Sequence, residues 1–455
     1  FFEDMCKKEV SFIGAGVSHR ELTKLFVKKG ISVTLRDKRT AEQLGDIYTE
    51  LNSLGVKMKL GENYLNDITE DVLFRTPGMN YMNPALQKAK ADGVVITSEM
   101  EMFFELCPCE IIAVTGSDGK TTTTTLISEL LKAEGYTVHL GGNIGRALLP
   151  IIEQVKPTDK AVVELSSFQL ISMSQSPNIA VITNIAPNHL DVHKDMEEYI
   201  NAKKNILLHQ SAFSKAVLNL DNPSTIALAH FVRGKLEMFS RKNAVVHGAF
   251  VENNMIYYAD DDKKTAVLNT KDIRIPGEHN IENYLAAITA VWNMVSIDTI
   301  KKVAKSFAGV EHRIEFIREL NGVKWYNDSI ATSPTRTIAG LNSFNQKLII
   351  IAGGYDKKIP FEPMAPIMLQ KVKTLILTGA TSPKIEAAIR NCNGFENSGM
   401  TILHAENLTD AVTIAAKTAV LGDIVSLSPA CASFDCYPNF EQRGNHFKQV
   451  VRELK

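Results

Sequence analysis

An apolar, β-branched run, Ile111-Ile112-Ala113-Val114-Thr115, stops at Gly116, turns through Ser117-Asp118-Gly119 and restarts at Lys120 as a helical pattern carrying Leu126, Ile127, Leu130 and Leu131. A buried strand feeding a glycine loop and then a helix is a unit of a parallel sheet, so this stretch commits the middle of the chain to α/β architecture. Its chemistry is equally constrained. Glycines let the backbone approach a phosphate, and the helix N-terminus turns its N–H groups and positive dipole end toward it. Lys120 adds a point charge, and the Thr121 hydroxyl suits Mg²⁺. Gly116, Ser117, Asp118, Gly119, Lys120, Thr121 and Thr122 are therefore expected to cradle a triphosphate. The usual phosphate loop has a further glycine at position 114, which is Val114 here, and the shortened form argues against motor NTPases and GTPases. A glycine turn that merely caps a helix is the plain alternative, but Lys-Thr after the glycine adds nothing to a cap.

The 455 residues are too many for one core and point to about three domains. A formal net charge of −1 gives no overall field for nucleic acid or an anionic membrane, so binding must be local. The six cysteines (Cys6, Cys107, Cys109, Cys392, Cys431, Cys436) lack zinc-finger spacing. Cys107-Pro108-Cys109 is not the redox Cys-x-x-Cys. With no secretory signal and no apolar run of transmembrane length, reduced thiols and a soluble, cytoplasmic protein are expected. The chain opens on Phe1-Phe2 rather than Met, so a start further upstream is expected.

Taken in order, residues 9–16 read as a short strand ending in Gly14-Ala15-Gly16, followed by a helix through Leu22, Leu25, Phe26 and Val27 and a strand at 31–35 that leads to Asp37. This opens a Rossmann-like unit, with the acid placed to hold a ribose. His19 stands where a third fingerprint glycine would fall, which weakens a nicotinamide reading and leaves a nucleotide-sugar head group for the crevice. Strands at 71–74, ending in the Arg75-Thr76-Pro77-Gly78 turn, and at 94–96 complete a first domain, residues 1–98.

Beyond the phosphate loop, strands at 137–140, 161–163 and 179–182 each end in polar residues: Asn143, then Glu164 with Ser166 and Gln169, then Asn188-His189-Leu190-Asp191. Ligands sit outside the carboxyl ends of parallel strands, so these residues are expected on the phosphate side of the sheet, with Glu164 as an acid for Mg²⁺. A helix carrying Tyr199, Lys203 and Lys204 follows. Short β-like segments at 245–246, 256–258 and 267–268 form a small antiparallel flank around the turn at Asp260-Asp261-Asp262. Asn280 and Asn283 open a helix expected over 284–295, sharing a face on which both can bond one planar group. These elements make a central domain, residues 99–309. Strands at 348–351, 374–377, 401–403 and 424–427 make a third, Rossmann-like domain, residues 310–455.

With the motifs Glu164-Leu165-Ser166-Ser167-Phe168-Gln169, Asn188-His189-Leu190-Asp191, His312-Arg313, Asn327-Asp328-Ser329 and the stretch 427–444, the chain resembles along its whole length the Mur ligases of bacterial cell-wall synthesis, most closely those that add D-glutamate. The resemblance implies an ATP-dependent ligase joining D-glutamate to UDP-N-acetylmuramoyl-L-alanine through an acyl phosphate. It implies that Lys120 contacts the phosphates, that Thr121 and Glu164 hold one Mg²⁺, and that His189 holds a second with a carbamate on Lys203. By the same resemblance Asn280, Asn283, Arg313 and Asp328 contact the nucleotide, and Asp37, Gly78, Asn143, Ser166 and Gln169 the UDP-sugar. Thr332, Lys357, Ser433 and Phe440 receive D-glutamate. Partners are small molecules, and a monomer is expected.

Two departures stand out. Ser117-Asp118 replaces the Thr-Asn of many members, and Ile330 replaces a lysine of many glutamate-adding members, so that cationic contact is filled elsewhere or dropped. Three other readings stay open. A folylpolyglutamate-synthase-like ligase would share the loop, Glu164 and His189 but lack the 428–444 stretch. A Rossmann oxidoreductase would rest on Gly14-Ala15-Gly16 and Asp37. A non-catalytic nucleotide-binding regulator would keep Lys120 and could omit the metal ligands.

Overall fold

The computed structural model describes residues 1–187 and 193–455. Runs rich in Val, Ile and Ala, with polar residues only at their ends, form strands buried on both faces, as a parallel sheet covered by helices requires. Ile179–Ile182, Glu110–Thr115, Lys160–Glu164 and Leu348–Ala352 are of this kind, buried almost throughout. The chain divides into two compact units, Phe1–Thr270 with Glu282–Val303, and Lys271–Ile281 with Ala304–Lys455.

The first unit holds two sheets. Across the smaller, all-parallel one the strands run Lys57–Leu60, Val33–Asp37, Val10–Ile13, Val72–Phe74 and Val95–Thr97. Its aromatic core sets Phe12 tilted against Phe74 at 4.8 Å and Phe26 edge-on to Phe12 at 5.3 Å. Across the larger sheet the order is Lys263–Asn269, Met255–Asp260, His247–Glu252, Lys235–Ser240, Lys215–Asn219, Ile179–Ile182, Glu110–Thr115, Lys160–Glu164 and Val138–Gly142. The first two pairings are antiparallel and the rest parallel. The antiparallel flank is thus present, but its strand begins at His247 rather than at 245–246, where Val246 is largely exposed. The helix expected from Tyr284 spans Glu278–Val291, because Glu278, His279 and Asn280 already form its first turn.

Register fixes the working edge of the large sheet. Val114 pairs with Glu164, Thr115 with Ile182 and Gly142 with Glu164, so three strand ends lie level beside the phosphate loop. The second unit carries one sheet, ordered Glu315–Leu320, Val323–Asn327, Ile424–Leu427, Leu348–Ala352, Val372–Leu377 and Thr401–His404, parallel except for the antiparallel hairpin at its first edge.

Candidate functional site

In the first unit the phosphate loop is built around backbone that only glycine can supply. A Cβ on Gly116 would lie 1.9 Å from Thr183 Oγ1, and one on Gly119, at φ +77°, would lie 2.4 Å from Asn283 Oδ1. Asn283 also accepts a bond from Thr123 Oγ1 (3.2 Å), which places this residue against the loop. The loop is held from the next strand end: Ser117 N donates to Asn184 O (2.9 Å) and Asp118 N to Asn184 Oδ1 (2.9 Å). Lys120 folds back on its own loop, donating to Gly116 O (3.0 Å) and Ser117 O (2.9 Å), while Gly119 caps the helix Lys120–Glu134 without a side-chain acceptor. Thr121 and Thr122 lie half-buried in its first turn.

Glu164 ends its strand fully buried. Its Oε1 accepts from Asn143 Nδ2 (2.8 Å), while Oε2 has no hydrogen-bond partner among the described residues. A buried carboxylate oxygen left bare is costly and fits a cation ligand. Lys203 projects from the helix Met196–Leu208 into the same region, donating to Gly116 O (2.8 Å) and Thr115 Oγ1 (3.4 Å). Burial, reinforced by the charge of Lys120 and opposed by Glu164 and Asp118, pulls its pKa down to about 7. Lys204 instead bonds Asn201 at the surface (2.8 Å), so the two neighbouring lysines lie in different surroundings. His189, with Asn188 and Asp191, lies outside the described residues.

Ser166 and Gln169 form a reciprocal capping box at the helix Ser167–Leu170, two residues beyond Glu164. Asn143 and Glu164 are in contact, as are Ser166 and Gln169, so this group gathers at one strand end. Asp37 ends its strand in the smaller sheet. It accepts from Ala15 N (2.8 Å) and pairs with Arg39 (2.7 Å); burial works to raise its carboxyl, but Arg39 and these N–H groups hold it below the ordinary value. Gly78 is exposed at the carboxyl edge of the same sheet. Two residues in this unit that the sequence named without a role hold the site together. Buried Arg75 donates to Phe168 O (3.1 Å) and Ser172 Oγ (2.7 Å), tying the Gly78 turn to the Ser166 turn. The Tyr199 hydroxyl meets Ser117 Oγ at 3.0 Å and pins the loop to the Lys203 helix. An arginine beside Thr-Pro-Gly and a tyrosine one turn before the lysine were the only signals.

In the second unit Asp328 follows the strand Val323–Asn327 and is buried. It accepts from Ser428 Oγ (2.9 Å) and Ile314 N (3.3 Å), and burial raises its pKa to about 7. Arg313 is exposed, and Asn280 Nδ2 bonds Pro276 O at 2.5 Å. Lys357 Nζ donates to Thr332 Oγ1 (3.3 Å), bringing two of the expected amino-acid residues together. Ser433 is buried, its carbonyl accepting from Tyr437 N (2.7 Å). Phe440 O accepts from Ser329 Oγ (2.8 Å) and its ring stands edge-on to His312 at 5.9 Å. Arg443 staples these turns, donating to Ser329 O (3.0 Å), Cys431 O (3.1 Å) and Ala432 O (3.1 Å).

Two family models match the chain: "Mur ligase middle domain" over residues 114–291 and "Mur ligase, glutamate ligase domain" over residues 312–431. The chain belongs to the Mur ligases. Among relatives of this Mur ligase, a protein of Acetivibrio thermocellus is 51% identical over 458 residues, spanning 100% of this chain and 98% of its own length. A Clostridium botulinum protein is 51% identical over 455 residues with the same coverage. Both carry the name "UDP-N-acetylmuramoylalanine--D-glutamate ligase". The fold also matches the solved UDP-N-acetylmuramate-alanine ligase of Thermotoga maritima (TM-score 0.59, 17% identity, 98% of this chain and 100% of that one). A solved UDP-N-acetylmuramoyl-L-alanyl-D-glutamate--2,6-diaminopimelate ligase gives 0.56 at 19% identity, over 98% and 93% of the two chains. Among the described residues no helix is long and apolar enough to cross a membrane.

Proposed function

We propose that this Mur ligase joins D-glutamate to UDP-N-acetylmuramoyl-L-alanine at the expense of ATP, in the cytoplasm and as a monomer of three functional domains, residues 1–98, 99–309 and 310–455. The observation that carries the reading is one strand edge holding a phosphate loop, a buried carboxylate with a bare oxygen and a buried lysine on the Gly116 carbonyl. A carboxylate is a poor electrophile. Transfer of the γ-phosphoryl group of ATP to the muramoyl-alanine carboxylate gives an acyl phosphate and ADP; the D-glutamate amine then displaces phosphate, leaving an amide. In such chemistry the protein's part is positioning and neutralising charge.

Lys120, the loop N–H groups and the helix N-terminus neutralise the triphosphate, with Asn283 against the loop and Asn280, Arg313 and Asp328 as further nucleotide residues. Glu164 and Thr121 would hold one Mg²⁺; His189 and a carbamate on Lys203 would hold another. Bound there, Mg²⁺ supplies charge neutralisation for the transferring phosphoryl group. Near pH 7 much of Lys203 is a neutral amine, the form that adds CO₂, and the carbamate turns a buried cation into an anion. Asp37, Gly78, Asn143, Ser166 and Gln169 serve the UDP-sugar; Thr332, Lys357, Ser433 and Phe440 serve D-glutamate.

The test is phosphate release from ATP and Mg²⁺ with UDP-N-acetylmuramoyl-L-alanine, each amino acid offered in turn. Release with D-glutamate alone, and a new amide by mass, is expected; release with another amino acid overturns the specificity, and none overturns the reaction. Lys203→Ala should be inactive and regain activity with chloride or a short carboxylic acid. Undiminished activity without either would remove the carbamate.

A further inference from the structure

D-Glutamate brings two carboxylates, and a site that selects it must meet the side-chain one with positive charge or lose most of its discrimination. Among Thr332, Lys357, Ser433 and Phe440 only Lys357 is cationic, and the nearby Ile330 side chain is apolar. The backbone of Ile330 brings in another cation. Its carbonyl oxygen accepts from Thr332 N at 2.8 Å and from Arg336 Nη1 at 3.1 Å. Thr332 Oγ1 in turn receives Lys357 Nζ at 3.3 Å. Lys357 and Arg336 thus both reach the Thr332 turn, each one hydrogen bond from the threonine or from the carbonyl it shares.

Arg336 lies in the first turn of the helix Pro334–Asn342 and is solvent-exposed, so it is open to a ligand. Among the described residues its guanidinium makes no hydrogen bond besides that to Ile330 and forms no ion pair, leaving donors of the planar fork for a carboxylate. Arg313 lies close enough to act on Arg336 as a like charge, with Asp328 the opposing acid. Burial raises the pKa of Asp328 to about 7, so this acid balances the two guanidinium groups less fully than an ordinary carboxylate would.

We propose that Arg336 is a specificity-determining residue of the amino-acid site, pairing the side-chain carboxylate of the incoming D-glutamate at the Thr332 turn that Lys357 also reaches. This rests on the D-glutamate reading above.

The test compares the native chain with Arg336→Met and Arg336→Lys, each checked for an unchanged circular-dichroism spectrum and melting temperature. D-Glutamate and D-glutamine are titrated at saturating ATP and UDP-N-acetylmuramoyl-L-alanine. Losing one charge-assisted pair should raise the D-glutamate KM roughly 10- to 100-fold in Arg336→Met. The KM of ATP and of the nucleotide sugar should stay within about twofold, and the preference for D-glutamate over D-glutamine should fall by a similar factor to the KM rise. Arg336→Lys should fall between, keeping the charge without the fork. An unchanged D-glutamate KM, or an equal loss for both amino acids, overturns the assignment of Arg336. Native enzyme that shows no D-glutamate dependence overturns the underlying reading instead.

Discussion

Asp328 carries the clearest titration in the second unit. Its pKa is about 7 in the folded chain against an ordinary 3.8, because burial outweighs the Ser428 hydroxyl, the Arg313 charge and the Ile314 N–H. The folded chain therefore holds this proton more tightly than the unfolded one. Its contribution to stability is full below about pH 4, is lost as pH rises through about 7, and is constant above that. The span amounts to at most about 4 kcal/mol. Asn at position 328 removes the titration, so the urea midpoint of Asp328→Asn should change less between pH 5 and pH 8 than that of the native chain. An equal change in both would assign the effect to another group. None of this was legible in the sequence, where Asp328 is one acid in an Asn-Asp-Ser motif: burial is a property of the packed sheet, set by Gly340 and Ser428 closing over the carboxylate. Lys203 differs only in degree. The family resemblance singled it out, but the depressed pKa comes from helix and loop burying it together.

At the scale of elements, the phosphate loop is the tightest joint. Alanine at position 116 would drive a methyl into Thr183 Oγ1 and within 3.2 Å of the Asn184 backbone. Since Asn184 also orders Ser117 and Asp118, the strain falls on the atoms that shape the loop. Gly116→Ala should cost about 1–3 kcal/mol of stability and abolish measurable ATP binding; calorimetric titration with a non-hydrolysable ATP analogue checks it, and native affinity would refute the steric account. Glycine before Lys-Thr made this joint readable beforehand. Two of the strands that escaped reading lie at sheet edges. Lys57–Leu60 alternates exposed and half-buried residues at a sheet edge, and Glu315–Leu320 is half-exposed along most of its length. Edge strands need only one apolar face, and in so short a segment that signal does not rise above its surroundings. Lys215–Asn219 was missed although four of its residues are buried, because Lys and Asn bracket a run of three apolar residues.

Over the whole molecule, the division of the chain separates two of the proposed substrates by unit. Asp37, Gly78, Asn143, Ser166 and Gln169 all fall in the unit Phe1–Thr270 with Glu282–Val303, whereas Thr332, Arg336, Lys357, Ser433 and Phe440 all fall in the other. A ligand that binds only the native arrangement of a unit slows the local openings of that unit, by about 2.7 kcal/mol at a hundredfold excess over its dissociation constant. Hydrogen exchange read by mass spectrometry can therefore assign each substrate without turnover. UDP-N-acetylmuramoyl-L-alanine alone should slow exchange in peptides covering residues 75–79, 143 and 164–170 and leave 329–336 unchanged. D-Glutamate alone should protect 329–336 and 353–358 and leave the first set untouched. Protection by the nucleotide sugar confined to 329–336 would reverse the assignment of the two units, and it would do so independently of any measured rate.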